Sequence, residues 1–384
     1  MIKLVNDTIS TEEIDAMIDW LKTYPKLTKG KQTEIFEKAW SAWVTRKYSV
    51  FVNSGSSANL VMLYALKLSG RMKNDKVIVP CVSWTTTVSP VIQLGMTPIP
   101  CEASTSNLGL DTVYFEKLCK EHNPACVLIV HVLGIPNYMS EILNICEKYN
   151  VILLEDSCES VGSQYENKTT GTFGLMSSFS TYYGHHFSTI EGGLVSTDDF
   201  ELYEVMKSLR SHGWSRDLSD DTRERLRIEN NIDKFRDLYT FYYPGFNLRS
   251  TEIQAFLGVN QLKTLDSKNE TRYLNLLKYD SLIENDFWKV EFGSFTSNFA
   301  YPIIHPEKNE IVHRLEEGGV ECRPLVCGNI ARQPYYEKMY GKKSYKVADM
   351  VHDFGFYVPN NPNMKEEEII YICNIINEVT RKTI

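Results

Sequence analysis

Two hydrophobic patterns alternate along the first half of the chain. Tyr48–Val52, Lys76–Pro80, Val127–Val132 and Val151–Leu154 are short apolar runs without polar alternation, the pattern of strands buried on both faces. Leu60–Leu68, closed by Gly70, and the segments Asp111–His122 and Ser140–Tyr149 instead carry apolar residues at helical spacing. Buried strands separated by helices predict an α/β fold with a mainly parallel central sheet flanked by helices. Ahead of the first strand, Thr11–Trp43 has helical patterning broken at Thr28-Lys-Gly-Lys31.

The second half is patterned differently. Arg216–Arg236 is charged and poor in apolar residues, and reads as a surface excursion, either a solvated helical insertion or a lid. Thr251-Glu-Ile-Gln254 is a capping box that opens a helix to Leu262, and another helix runs through Arg272–Leu282. Beyond Val290, strand-like pieces (Phe299–Ile304, Val320–Arg323) mix with helices at Glu310–Glu317 and Glu366–Val379. The expected organisation is a large domain, residues 1–249, that includes the N-terminal helical segment, and a small C-terminal α+β domain, residues 250–384.

Composition narrows the function. A net charge of −8 argues against a nucleic-acid or anionic-membrane partner. The longest apolar run, Ala125–Pro136, is interrupted by His131 and falls short of the roughly 18 residues of a membrane span. The N-terminus lacks the apolar core of a signal peptide, so the expected location is the cytoplasm. Nine cysteines without a CxC or CxxC spacing read as reduced thiols, with no cysteine-ligated metal or iron–sulfur cluster.

Four polar segments follow predicted strands, where open α/β sheets place their ligand sites. Ser54-Gly55-Ser56-Ser57-Ala58-Asn59 opens a helix; small residues and free amides there suit a phosphate, and also suit a plain helix cap. Trp84, just past Pro80, can stack on a planar ligand or anchor the core. Asp156, in Leu154-Glu-Asp-Ser-Cys-Glu159, can pair with a protonated ring nitrogen or cap the strand end. Ser178-Phe-Ser180 leads to His185-His186 and Glu191-Gly-Gly193, with hydroxyls that can complete a phosphate site. Consecutive loop histidines seldom chelate one metal, so no metal site is expected. Phosphate cradle, aromatic plate, strand-end acid and serine loop, in that order, have the layout of a pyridoxal-phosphate (PLP) site.

These motifs, with Gly245-Phe-Asn247-Leu-Arg249 and Ile253-Gln-Ala255, resemble the DegT/DnrJ/EryC1 sugar aminotransferases among the fold-type-I, aspartate aminotransferase-like PLP enzymes, over nearly the whole chain. The resemblance implies that Gly55, Ser56, Ser57 and Ser180 hold the cofactor phosphate. It implies that Trp84 stacks on the ring, Asp156 pairs with its nitrogen and Glu159 lies near its phenolic oxygen. It also implies a homodimer with two shared sites, in which Asn247 reaches the neighbouring subunit's phosphate.

The chain departs from the family at one position. The Schiff-base lysine lies five residues after the serine matched by Ser180; here that residue is His185, and no lysine occurs between Lys168 and Lys207. Within the family this change marks the pyridoxamine-phosphate-dependent sugar 3-dehydratases, which hold PLP or pyridoxamine 5′-phosphate (PMP) non-covalently. Gly171-Thr-Phe-Gly-Leu-Met176, His212-Gly-Trp214 and Glu321-Cys-Arg-Pro324 resemble the branch acting on GDP-4-keto-6-deoxy-D-mannose. The branch acting on CDP-linked sugars carries a cysteine-bound 2Fe–2S cluster served by a reductase, for which this cysteine spacing offers no place.

The implied reaction is C3 deoxygenation of a nucleotide-linked 4-keto-6-deoxy sugar, with release of ammonia and L-glutamate as co-substrate. His185 is the implied proton carrier, because an unperturbed imidazole exchanges protons in both directions near neutral pH. His212, Arg249 and Arg323 are candidate nucleotide-sugar contacts, and His186 has no assigned role. Two alternatives stay open: an inactive homologue that binds nucleotide sugar as a partner protein, and a dehydratase for another nucleotide-linked sugar or a heptose.

Overall fold

The computed structural model describes residues 1–381. Its strands are β1 (Tyr48–Val52), β2 (Lys76–Pro80), β3 (Thr97–Cys101), β4 (Cys126–Val130) and β5 (Ile152–Asp156). A small ribbon, β6 (Gln164–Tyr165) with β7 (Lys168–Thr169), precedes β8 (Met176–Ser180) and β9 (Gly193–Thr197). Seven of them form one sheet in the order β1-β9-β8-β5-β4-β2-β3. Strands β3, β2, β4, β5 and β8 are parallel, and only β9 runs against both its neighbours.

The missing alternation has a direct cause, since both faces of the sheet are covered. Val77 and Val79 pack with Val61, Met62 and Leu202 on one face, whereas Ile78 joins Phe115, Met139 and Ile142 on the other. Each such side chain contributes about 1.5–3 kcal/mol by burial, so neither face tolerates a polar row.

Two elements were not anticipated between β2 and Asp111, a helix over Thr85–Gln93 and the strand β3. The β3 sequence, Thr-Pro-Ile-Pro-Cys, carries two prolines that cannot donate to a ladder. It is tolerated because β3 is an edge strand paired only with β2. The helix expected from Leu60 starts at Gly55, which draws the serine cluster into its first turn. The two helices expected over Thr251–Leu262 and Arg272–Leu282 are one 31-residue helix, Glu252–Leu282, opened by the Thr251–Gln254 capping box. Asn269 and Arg272 are buried in its middle, and these inward-facing polar residues interrupt the apolar period without interrupting the helix.

Beyond residue 290, β10 (Ala300–Ile304), β11 (Arg323–Pro324) and β12 (Gly355–Pro359) form an antiparallel sheet in the order β10-β12-β11. The strand expected at Val320–Arg323 is thus shifted, and Val320 bridges Ile2 instead. Helices at Lys308–Glu317 and Glu366–Thr380 match expectation, whereas those at Pro334–Tyr340 and Lys346–Phe354 are additional. The excursion Arg216–Arg236 carries a helix, Asp220–Glu229, tied down by an ion pair between Arg223 and the buried Asp237. No helix among the described residues is long and apolar enough to cross a membrane.

Candidate functional site

The carboxyl ends of β2, β5 and β8 and the start of the helix Gly55–Leu68 open onto one cavity of about 300 Å³. Ser54 caps the helix by accepting the Ser57 N–H at 3.1 Å, and its hydroxyl also contacts that of Ser57 at 3.0 Å. The first-turn N–H groups of Gly55 and Ser56 have no acceptor within the helix and sit at its positive end. Ser180, at the end of β8, lies across from them. A Cβ on Gly55 would stand 2.7 Å from the Cβ of Ser180 and 3.0 Å from the Cys158 sulfur, so only glycine permits this approach.

Asp156 ends β5 and is buried. Its Oδ2 accepts from Asn59 Nδ2 at 2.7 Å and from Thr87 Oγ1 at 2.8 Å, and Oδ1 accepts the Cys158 N–H at 3.2 Å. Asn59 is in turn oriented by Ser178, whose hydroxyl donates to its Oδ1 at 2.5 Å. The preceding Glu155 turns away from the cavity and accepts the N–H groups of Gly171, Phe173 and Gly174 at 2.6–2.7 Å, with His131 Nε2 at 3.2 Å. Burial pushes its carboxyl up, but His131 and these amides outweigh burial and hold it below the usual range. Glu159 has the opposite balance. Burial and the nearby Asp156 charge push it up to about 8 against a single Leu133 N–H bond at 2.7 Å, so it is a carboxylic acid at neutral pH.

The loop after β8 presents His185 to the same cavity. Its ring is half-buried, edge-on to Phe299 at 5.5 Å, with Nδ1 covered and without a partner; Nε2 is the nitrogen left open. Burial pushes the imidazole down to about 4, Asp156 opposes the shift and Arg272 adds to it. Burial thus moves the ring below the unperturbed imidazole value and favours its neutral form. His186 is fully buried, and its Nε2 lies 2.6 Å from the Ser297 carbonyl oxygen. Its role is structural, tying the loop to the segment before β10.

Gly55, Ser56, Trp84, Asp156, Glu159, Ser180, His185 and Arg323 thus converge on one cavity. The indole of Trp84 is 53% exposed, which decides for a cavity wall over a core anchor. Ser57, in the same first turn, lies outside the cavity lining and is occupied by the cap. Asn247, His212 and Arg249 lie outside the cavity lining. His212 and Asn247 are exposed, Asn247 bridges Ser211, and Arg249 reaches His212 Nε2 at 3.5 Å. Thr87, Tyr182, Phe299 and Tyr357 went unrecognised in the sequence. Thr87 was visible as a hydroxyl one helical turn past Trp84, while Phe299 and Tyr357 carry no local signal.

An anion cradle that a Cβ would fill, a flat exposed indole and a fixed buried carboxylate together suit a phosphorylated aromatic cofactor with a basic ring nitrogen. On a mainly parallel sheet flanked by helices, that is the class of PLP enzymes with the aminotransferase fold. The chain belongs to the DegT/DnrJ/EryC1/StrS aminotransferase family, whose model matches residues 8–377. It is 34% identical to a GDP-4-keto-6-deoxy-D-mannose 3-dehydratase of Yersinia pseudotuberculosis, with 98% of each chain covered. A crystal structure of a GDP-4-keto-6-deoxymannose 3-dehydratase with a trapped PLP–glutamate geminal diamine is similar at 30% identity and a TM-score of 0.89, covering 98% of this chain and 100% of that one. A variant of such an enzyme with bound GDP-perosamine is similar at 30% identity and a TM-score of 0.87, with the same coverage.

Proposed function

We propose that this protein removes the C3 hydroxyl of a nucleotide-linked 4-keto-6-deoxy sugar, GDP-4-keto-6-deoxy-D-mannose in the first instance. PMP is bound non-covalently, and L-glutamate restores the amine form after ammonia is released. The observation that carries this reading is His185, an imidazole in the cavity where the family keeps its lysine, with no lysine lining the cavity among the described residues. The similar structures, with PLP–glutamate or GDP-perosamine bound, support the donor and the nucleotide-sugar class. When bound, the cofactor supplies an amine that condenses with a ketone and a ring that accepts electrons.

The side chains divide the remaining work. Gly55, Ser56, Ser57 and Ser180 hold the phosphate at the helix start, with Ser57 acting through the cap that sets the first turn. Trp84 covers one face of the ring, and Asp156 keeps a proton on its nitrogen. Glu159, protonated at pH 7, donates a hydrogen bond toward the phenolic oxygen. His185 takes a proton through Nε2 and, because burial disfavours the imidazolium, delivers it readily to a departing oxygen. A lysine could move the same proton, but its amine would capture the cofactor. Arg323, in the cavity wall, contacts the substrate. Asn247, flanked by His212 and Arg249 on an exposed edge, serves the partner's phosphate in a homodimer. The frame for this division is a large domain, residues 1–249, closed by a small domain, residues 250–384.

Incubation with PLP, glutamate and GDP-4-keto-6-deoxymannose is expected to give 2-oxoglutarate, ammonia and a nucleotide sugar one oxygen poorer, read by mass spectrometry. An amino sugar as product overturns the reading.

A further inference from the structure

The helix Glu252–Leu282 carries a buried cation that the proposed reaction does not use. Arg272 is 3% exposed, and no carboxylate of the described residues lies within ion-pair distance of it. Its Nη1 donates to the Asn360 carbonyl, its Nη2 donates to the His185 carbonyl at 3.3 Å, and its Nε has no partner. Burying a guanidinium without a counter-charge is costly. A side chain that merely filled this space would do so better as methionine.

The surroundings show what the charge is set against. Asn360 returns Nδ2 to the Arg272 carbonyl at 3.0 Å and to Asn298 Oδ1 at 2.6 Å. Next to Asn298, the Ser297 carbonyl holds His186. The His185 N–H donates to the Tyr182 carbonyl at 2.9 Å. The backbone of His185 is therefore pinned on its N–H side by its own turn, on its carbonyl side by Arg272, and through the next side chain by Ser297.

We propose that Arg272 is a positioning residue for the reaction proposed above: its buried guanidinium fixes the backbone of His185 and, left without an acid, sets a positive charge behind the imidazole. The titratable groups facing that ring are Asp156 from β5, Arg272 from the long helix, and Tyr182 and His186 from its own loop. Asp156 alone would favour the imidazolium. Burial is the main force holding the ring neutral, and Arg272 adds to it against Asp156, so the ring stays in the form that accepts a proton while the carboxylate beside it stays available for the cofactor nitrogen.

The test is the titration of His185 by NMR in protein labelled at histidine, without cofactor, with the resonance assigned by its loss in His185→Asn. The wild-type midpoint is expected near 4. In Arg272→Gln, which keeps a donor and loses the charge, it is expected to rise, whereas Arg272→Lys, which keeps the charge, is expected to stay closer to wild type. The His131 Nε2–H signal, held in the sheet by Glu155, reports that the fold is intact. An unchanged midpoint in folded Arg272→Gln overturns the proposal, as does a Lys variant that shifts as far as the Gln variant. If Arg272→Gln does not fold, a wild-type midpoint above about 6 overturns it alone, since the unperturbed value is about 6.5. In turnover, the acid limb of kcat/KM is expected to move with the NMR midpoint. Absence of any 3-deoxy product from wild type would refute the proposed function and leave the Arg272 titration to be judged separately.

Discussion

The cavity has two walls built on different principles. The sheet wall consists of strand ends and one helix start, and its central polar groups are held by partners on the strands and on the helices that follow them. Asp156 is fixed by Asn59 and Thr87, and Ser180 is packed against Gly55. The opposite wall is gathered from distant segments, with Leu4 and Val5 from the N-terminus, Phe299 beside β10, Arg323 in β11 and Tyr357 in β12. It is stitched by long-range bonds such as the Leu4 N–H to Glu321 Oε2 at 3.0 Å and the Ile2 N–H to the Gly319 carbonyl at 2.8 Å. The first wall presents fixed charge, and the second aromatic and aliphatic surface with one guanidinium. Under the proposed function, the cofactor belongs to the first and substrate selection to the second. His185 stands between them, carried by the sheet and packed on Phe299.

If that division holds, substitutions on the sheet side should cost chemistry and those opposite should cost selection. The largest effect is expected from His185→Asn, a loss of about 10³-fold in 3-deoxy product formation with PLP binding retained. Product is measured by mass spectrometry and binding by the cofactor's absorbance. Unaltered turnover would remove His185 from the chemistry. Gly55→Ala comes next, because its methyl must displace Ser180 or Cys158. A loss of at least about tenfold in PLP affinity is expected, together with about 1–3 kcal/mol of stability. Affinity equal to wild type would mean that the cradle lies elsewhere.

A separate effect should appear without any ligand. The folded protein keeps the Glu159 proton up to about pH 8, whereas the unfolded chain loses it near 4.3. This group's contribution to stability is therefore complete below about pH 4 and is lost as pH rises through 8, by up to about 1.4 kcal/mol per unit. Glu159→Gln cannot ionise, so its denaturation midpoint should fall less between pH 5 and 8 than that of wild type. Parallel pH profiles would show that Glu159 is already ionised in the fold.

The two walls also differ in how far they could be read from the sequence. The sheet wall was nearly all legible because each element is local: an apolar run, then small or acidic residues where the strand ends. Its reading failed where local rules were overridden, at the proline-bearing edge strand β3 and at the long helix whose apolar period is broken by buried Asn269 and Arg272. Of the partners that make Asp156 a fixed charge, Asn59 sits in the serine motif and Thr87 just past Trp84, but only their tertiary contacts with the end of β5 assign them. Of the far wall, Arg323 was named from a motif, whereas Phe299 and Tyr357 reach the cavity through the β10–β12 pairing, across more than 50 positions, and Leu4 and Val5 through pairings across more than 300, such as Ile2 with Val320. Nothing in a single sequence encodes such a pairing locally. The depression of the His185 pKa was not legible for the same reason, since it depends on burial and on Arg272 rather than on its neighbours in sequence.

The smallest effect belongs to the far wall and bears most directly on the comparison. Arg323 donates to Glu321 Oε1 at 2.8 Å, and its side chain is 55% exposed, so its charge is partly neutralised and well screened. A contact made by such a group binds substrate and transition state alike. Arg323→Gln is therefore expected to raise KM for the nucleotide sugar by about three- to tenfold, with kcat and PLP affinity unchanged. A fall in kcat at constant KM would move Arg323 to the chemical side of the cavity and erase the distinction between the walls. A rise in the KM for glutamate alone would keep the distinction and reassign the guanidinium to the carboxylate of the amino donor.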